Sequence, residues 1–134
     1  MVVINMMFSD FENDNTLNIQ TENDLQKAVV RYLRTTDLLF TCPLSVDLNT
    51  DEKRITSYLK GYTAGTPDLL IFNKSGEYNG LALELKNPKG TGNISKNQYE
   101  FIENLSAECG YFVLISNDFA SIIECITLYI RGLL

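Results

Sequence analysis

Two short apolar segments in the middle of the chain constrain its fold more than any other feature. Residues 68–72 have the sequence Asp-Leu-Leu-Ile-Phe, and residues 81–86 have the sequence Leu-Ala-Leu-Glu-Leu-Lys. Both are rich in strand-forming residues, and only the turn-forming segment 73–80 connects them. A connection this short is typical of an antiparallel hairpin, because a parallel crossover needs about a dozen residues or more. The sequence therefore predicts two antiparallel neighbouring strands at the centre of the fold.

Signals for helices and further strands surround this hairpin. Thr21 is a suitable N-cap, with Asp24 three residues later, for a helix that ends near residues 35–37. The other predicted elements are, in chain order, a strand-like segment 38–48 interrupted by Pro43, a short charged helix 51–60, the hairpin strands, a helix from the Ser95–Gln98 capping box to Gly110, a strand 111–115 covered on both faces, and a last helix from Asp118 to about Gly132. This order predicts an α/β fold with a mixed central sheet and helices on both faces.

Length and composition predict a single globular domain. The chain has 134 residues, of which 45% are apolar, enough for one hydrophobic core but not for two domains. We expect residues 1–20 to form a loosely ordered lead-in and residues 21–134 to form the domain. No apolar run approaches the roughly 20 residues of a membrane span. Because no secretory signal opens the sequence and the 3 cysteines lack CxxC spacing, we expect an intracellular protein.

The complete absence of histidine narrows the possible chemistry. With 0 histidines, the chain has no Ser-His-Asp or Cys-His nucleophile arrangement and no Cys-His zinc site. No GxxxxGK[ST] phosphate-binding loop is present either. What remains is chemistry by carboxylates and lysine, with or without a hard metal ion.

The charge is unevenly distributed along the chain. The net charge is -6, which argues against binding to nucleic acid. Residues 53–100, however, contain four acidic and seven basic side chains, a local net charge of +3. This basic middle is compatible either with one positive face or with scattered surface charges.

Acidic and basic side chains converge where the two predicted hairpin strands meet. Glu84 and Lys86 lie two residues apart and therefore share one face of their strand, where burial is costly unless they are paired or bind a ligand. Asp68 opens the neighbouring strand, and the hairpin can bring its carboxylate beside that of Glu84. Two carboxylates and a lysine at a strand end predict a site for a hard cation such as Mg²⁺ or Mn²⁺.

These residues, in this order, resemble a known nuclease motif. Pro67-Asp68 followed by Glu84-Leu85-Lys86 is similar to the PD-(D/E)XK motif. The segment Gly61-Tyr-Thr-Ala-Gly-Thr-Pro-Asp68 and the later Ser95-x-x-Gln98 resemble the VRR-NUC branch, the virus-type replication-repair nucleases, over residues 21–117. The resemblance implies a restriction-endonuclease-like fold.

The resemblance also implies roles for individual residues. Asp68 and Glu84 are expected to hold Mg²⁺ or Mn²⁺, helped by the backbone carbonyl of Leu85. Lys86 is expected to orient and activate the attacking water. Gln98 corresponds to a supporting glutamine on the following helix, and Glu22 to an acid on the first helix that adds a ligand directly or through water.

Substrate and assembly follow from the same resemblance. It implies a metal-dependent, structure-specific DNA endonuclease acting on branched DNA such as four-way junctions, with a role in repair or recombination and a viral or phage source. It also implies a homodimer, formed here through the last helix, which is apolar almost all round and needs cover on two sides. Nucleic-acid contacts are predicted for exposed side chains around the motif, namely Lys60, Tyr62, Lys89 and Lys96.

Simpler interpretations of the same residues stay open from the sequence. Glu22 also fits a first-turn acid that interacts with the helix dipole, and Gln98 also fits a capping residue. Glu84 and Lys86 also fit a solvated salt bridge, and Asp68 also fits a turn residue after proline. At the level of function, the alternatives are a catalytically silent nuclease-fold module that binds DNA or a protein partner, and a phosphatase with a carboxylate–Mg²⁺ site.

Overall fold

The computed structural model describes residues 18–43, 47–90 and 93–134. Within these ranges the chain forms, in order, α1 (Glu22–Leu33), β1 (Phe40–Thr41), α2 (Asp51–Leu59), β2 (Leu69–Ile71), β3 (Gly80–Leu85), α3 (Lys96–Ala107), β4 (Tyr111–Ser116) and α4 (Phe119–Ile130). This order matches the predicted alternation. The predicted strand-like segment 38–48 is reduced to β1, and residues 44–46 lie outside the described residues, as does most of the lead-in, residues 1–17.

The four strands form one mixed sheet with the order β1-β2-β3-β4. The predicted hairpin is confirmed, because β2 pairs with β3 in antiparallel register, with Leu69 opposite Leu83. β1 is also antiparallel to β2, whereas β4 runs parallel to β3. The crossover from β3 to β4 contains α3, as a parallel connection requires.

The hydrophobic core lies between the sheet and the helix pair α1 and α4. Leu81, Leu83 and Leu85 alternate along β3 and belong to one buried cluster with the apolar residues of these two helices. The opposite face of β3 carries Ala82 and Glu84, and α3 covers this side. The sheet therefore has helices on both faces, as the sequence predicts.

The burial of β4 differs from the prediction. All residues of β4 are only partly buried, whereas all residues of β3 are buried. β4 lies at the end of the strand order, so one of its long edges has no neighbouring strand in the described part of the chain. Its apolar run resembles that of a central strand, and the sequence alone does not distinguish the two positions.

The protomer itself covers most of the apolar surface of α4. Ile122, Ile123, Ile126 and Tyr129 are all buried, and the Tyr32 hydroxyl of α1 lies 3.2 Å from Oγ1 of Thr127. The cover that this helix needs on its second side is therefore provided by α1 of the same chain, and a dimer through the last helix stays a prediction. None of the helices in the described ranges has the length and apolar character needed to cross a bilayer.

Helix α2 has the least covered apolar surface of the described helices. Thr50 caps it by accepting a hydrogen bond from the backbone N–H of Lys53. None of its residues is buried, and Ile55, Tyr58 and Leu59 are 60%, 74% and 77% exposed. These three side chains recur at helical spacing and form one exposed apolar stripe, the α2 stripe.

Candidate active site

Glu84 is the buried acid of the candidate site. Only 3% of Glu84 is exposed, and α3 covers the face of β3 on which it lies. Its Oε1 accepts a hydrogen bond from Nε2 of Gln98 at 2.7 Å and lies 3.4 Å from Nζ of Lys86. Its Oε2 is buried and has no hydrogen-bond partner among the residues that the structure describes. An unpartnered buried carboxylate oxygen is costly unless a ligand satisfies it.

Asp68 lies directly opposite Glu84. The register of the hairpin pairs Leu69 with Leu83, and its continuation by one residue sets Asp68 against Glu84. Oδ2 of Asp68 accepts a hydrogen bond from the backbone N–H of Leu85 at 2.7 Å. In a strand the N–H and C=O of one residue point to the same side, so the Leu85 carbonyl is directed to the edge where Asp68 lies.

Gln98 joins Lys86 to the start of α3. Its Oε1 accepts hydrogen bonds from Nζ of Lys86 and from the backbone N–H of Ser95, both at 3.0 Å. The Ser95 hydroxyl accepts from the Gln98 N–H in return, which completes a capping box. The same side chain therefore caps α3 and contacts both Glu84 and Lys86, and its supporting role in the reaction stays a prediction.

The pKa values of both carboxylates are raised. Burial, followed by the charge of Asp68, raises the pKa of Glu84 to about 7, against the opposing effect of Lys86. Burial also raises the pKa of Asp68, while the Leu85 N–H and Lys86 lower it. In the metal-free protein the ionised form of this pair is therefore unfavourable, as expected where two acids share one site.

Glu22 and Tyr62 face the same centre from two other elements. Glu22 is largely exposed at the start of α1, and its pKa is raised by partial burial and by the charge of Asp68, with Lys86 opposing. Burial raises the pKa of the Tyr62 hydroxyl, and the charges of Asp68 and Glu84 raise it further. The structure therefore brings both predicted residues within electrostatic reach of the carboxylate pair.

Gly65 explains how the loop before Asp68 is seated. Its φ is +90°, and a Cβ at this position would lie 2.2 Å from the backbone oxygen of Asn97 and 2.7 Å from the nitrogen of Gln98. The loop backbone thus packs directly on the first turn of α3, which only glycine allows. The sequence showed that this glycine precedes the acid but not that it contacts α3, because the contact joins segments far apart in the chain.

The predicted lysine contacts lie outside this cluster of hydrogen bonds. Lys60, Lys89 and Lys96 are all exposed on the surface. Lys96 lies 3.8 Å from Oε1 of Glu100, one turn along α3, and the backbone N–H of Lys89 donates to Asn87. Their predicted role in nucleic-acid binding stays a prediction.

The donor set fits a hard divalent cation. Asp68, Glu84 and the Leu85 carbonyl offer oxygen ligands, and the orphaned Oε2 of Glu84 is the kind of atom that a cation satisfies. In the described ranges, no three cysteine, aspartate or glutamate side chains form a group that could hold a metal ion. The ligand set that the residues offer is thus two carboxylates together with backbone oxygen, and the role of Glu22, direct or through water, stays a prediction.

A mixed sheet with an acid pair and a lysine at the end of a hairpin defines a nuclease of the restriction-endonuclease-like class. The VRR-NUC domain family matches residues 13–117, and the chain belongs to this nuclease family. A solved structure described as a VRR-NUC domain protein is similar to the chain with a TM-score of 0.67 and 26% identity, covering 83% of this chain and 88% of that one. A search of curated proteins found no match.

Proposed function

We propose that this protein is a divalent-metal-dependent DNA endonuclease that cleaves branched DNA such as four-way junctions. The observation that carries the proposal is the buried Glu84, whose Oε2 has no hydrogen-bond partner among the described residues. Asp68 lies across the hairpin from it, and Gln98 holds Lys86, the residue after β3, next to it. A solvated salt bridge does not account for this arrangement, because Glu84 is buried and one of its oxygens is left without a partner.

The residues of the site divide the work of phosphodiester hydrolysis between them. Asp68, Glu84 and the Leu85 carbonyl would hold Mg²⁺ or Mn²⁺, with Glu22 acting through water. When bound, the cation polarises the scissile phosphate and lowers the pKa of an attacking water. The carboxylates fix the geometry, because β3 and the Leu85 N–H restrain both of them.

Lys86 supplies the positive charge at the reacting centre. Gln98 and Glu84 restrain its ammonium, so that the remaining N–H donor directions are available to a water molecule or to a phosphate oxygen. A donor that is fixed before the substrate binds stabilises developing negative charge without a reorganisation cost. Tyr62, whose pKa is raised by the charges of Asp68 and Glu84, would contact the nucleic acid together with Lys60, Lys89 and Lys96.

A homodimer is part of the proposal, but through a different surface from the one first predicted. Most apolar residues of α4 are already buried, whereas the α2 stripe is exposed. Leu59, at the end of this stripe, lies three residues before Tyr62 in the chain. Pairing of α2 stripes would hold two active sites in one particle, which suits symmetric cleavage of two strands at a junction.

The dimer is tested by sedimentation velocity at micromolar concentration. We expect a dimer that Leu59→Glu converts to a 15.2 kDa monomer, whereas Ile130→Glu, at an exposed position near the end of α4, leaves it intact. If Ile130→Glu gives a monomer and Leu59→Glu does not, the interface lies at α4 instead. A monomeric wild type would contradict the proposed dimer.

The activity is tested with labelled linear duplex, single strand, 5′ flap and four-way junction in Mg²⁺ or Mn²⁺. We expect metal-dependent cleavage of a branched form that is lost in Asp68→Asn and in Lys86→Ala. If the folded wild type cuts none of these, the protein is a silent binding module instead. Binding of the junction in EDTA would then separate a DNA-binding module from one that binds a protein partner.

A further inference from the structure

An aromatic groove lies between α3 and β4, and the mechanism above makes no use of it. Its volume is about 490 Å³, and its walls include Tyr78, Tyr99, Ile102, Glu103, Tyr111 and Phe112. We call this cavity the α3–β4 groove.

The groove and the active site are lined by different residues on neighbouring parts of the sheet. Tyr111 pairs with Gly80 at the start of β3, whereas Glu84 pairs with Ile115 near the end of the strand. The groove reaches toward the active site at Val113, which pairs with Ala82, and at Tyr99, which follows Gln98 in the chain. Asp68, Glu84 and Lys86 are not part of the groove lining.

The aromatic walls are held in defined positions. The rings of Tyr78 and Phe112 meet edge to face, with centroids 5.2 Å apart and an interplanar angle of 78°. Tyr111 packs on Gly80, where a Cβ would lie 2.3 Å from its ring. Tyr99 is 59% exposed and presents an open ring at the groove. Such rings attract cations through their faces.

The charge around the groove favours a basic ligand. Glu103 is part of the lining, and α3 and its C-cap also carry Glu100 and Glu108. Lys96, the basic side chain of this helix, already pairs with Glu100. This acidic rim repels the phosphates of a nucleic acid and attracts lysine or arginine.

The strand that forms one wall also offers backbone hydrogen bonds. β4 is the last strand in the sheet order, and no strand in the described part of the chain pairs with its outer edge. A six-residue edge strand presents unpaired N–H and C=O groups, and an extended peptide can hydrogen-bond to them as a further strand.

We propose that the α3–β4 groove binds an extended, lysine- or arginine-containing peptide segment of a partner protein. The peptide adds a strand to the free edge of β4 and places a basic side chain against the exposed ring of Tyr99, beside Glu103. Such a contact would recruit the nuclease to a partner without occupying its active site.

The test is fluorescence anisotropy with a labelled peptide of alternating valine and arginine. We expect saturable binding that Glu103→Lys weakens by roughly tenfold, as the loss of one close charge contact predicts. The matched control is Glu108→Lys, which changes the net charge equally at the helix end outside the groove lining. A second peptide with proline at alternate positions tests the backbone pairing, because proline lacks the N–H donor.

Four outcomes would overturn the proposal. They are an absence of binding by the wild type, equal weakening by both charge reversals, equal binding of the proline peptide, and displacement of the peptide by a four-way junction. The last outcome would assign the groove to DNA. Cleavage activity of Glu103→Lys is expected to equal that of the wild type, so that a failed nuclease test and a failed peptide test remain distinguishable.

Discussion

The amide group of Gln98 bridges Glu84 and Lys86. Its Nε2 donates to Oε1 of Glu84 at 2.7 Å, and its Oε1 accepts from Nζ of Lys86 at 3.0 Å. The same Oε1 caps α3 through the backbone N–H of Ser95. One side chain thus connects the first turn of α3 to Glu84 on β3 and to Lys86, the residue that follows β3.

This relationship predicts that Gln98→Glu separates capping from function. A glutamate keeps an acceptor for Ser95 and Lys86, so the capping box survives. It replaces the donor to Glu84 with a second carboxylate, and we expect cleavage to fall by roughly 10- to 100-fold, as for the loss of a group that orients a metal ligand. Initial cleavage rates at saturating Mg²⁺ measure the effect.

A matched capping variant at another helix controls for stability. Asp24 completes the capping box of α1 by accepting hydrogen bonds from the backbone N–H groups of Thr21 and Gln20. Asp24→Ala should lower the melting temperature slightly and leave the cleavage rate nearly unchanged. If Asp24→Ala reduces cleavage as strongly as Gln98→Glu, the bridge has only a structural role.

Asp68→Asn should abolish cleavage and also stabilise the metal-free protein. The amide oxygen can still accept the hydrogen bond from the Leu85 N–H, whereas the repulsion between Asp68 and Glu84 disappears. We expect a cleavage rate at least about 100-fold lower and a higher melting temperature in EDTA. A lower melting temperature in EDTA would mean that the two carboxylates do not oppose each other.

Lys86→Ala should have the opposite effect on stability. Glu84 then loses the positive charge that lowers its pKa, and the bond from Lys86 to Gln98 is lost. We expect loss of cleavage together with a lower melting temperature in EDTA. Unchanged cleavage in Lys86→Ala would exclude the lysine from the reaction, whatever its effect on stability.

The elements that the sequence predicts are those set by local patterns. The capping boxes at Thr21 and Ser95 and the short turn between β2 and β3 are all encoded within a few residues. The edge position of β4 and the cover of α4 by α1 depend on contacts between distant segments. A local apolar pattern does not distinguish a central strand from an edge strand, or cover by the same chain from cover by a second copy. The sequence therefore did not predict the partial burial of β4 or the packing of α4 on α1, and the dimer through the last helix stays a prediction.

The site follows the same division. Asp68, Glu84 and Lys86 were predictable because a hairpin and a two-residue spacing fix their relative positions. The hydrogen bonds from Gln98 to Glu84 and Lys86 could not be predicted from the residues alone, because a capping box also accounts for a glutamine at this position. The exposed α2 stripe was also missed, since its spacing is that of an ordinary buried helix face.

Stability of the metal-free protein should fall as the pH rises through the range set by Glu84. Its pKa is raised from 4.5 to about 7 in the folded state, so between these values the folded chain binds more protons than the unfolded chain. The stability that Glu84 contributes is therefore fully present below about pH 4.5 and is lost as the pH rises through about 7. Melting temperatures in EDTA measure the decline.

Mg²⁺ should reverse this decline, because it binds the ionised carboxylates and therefore stabilises the folded state most at higher pH. The rise in melting temperature on adding Mg²⁺ should be larger at about pH 8, above the pKa of Glu84, than at about pH 5, below it. Glu84→Gln should flatten the pH dependence and lose the Mg²⁺ effect. A pH dependence that persists unchanged in Glu84→Gln would assign it to another group.

Gly65→Ala tests whether the loop before Asp68 must contact α3. Alanine there meets the Asn97 backbone at 2.2 Å in addition to adopting φ +90°, whereas Gly61→Ala has φ +103° with no atom within 4 Å of its Cβ. Both variants carry the conformational cost of a left-handed residue, of about 1 kcal/mol. Only Gly65→Ala must also displace the first turn of α3, and with it Gln98. We therefore expect a larger loss of stability and a loss of cleavage in Gly65→Ala alone, by thermal melting and by the junction assay. Equal behaviour of the two alanine variants would mean that the loop and the helix are not coupled.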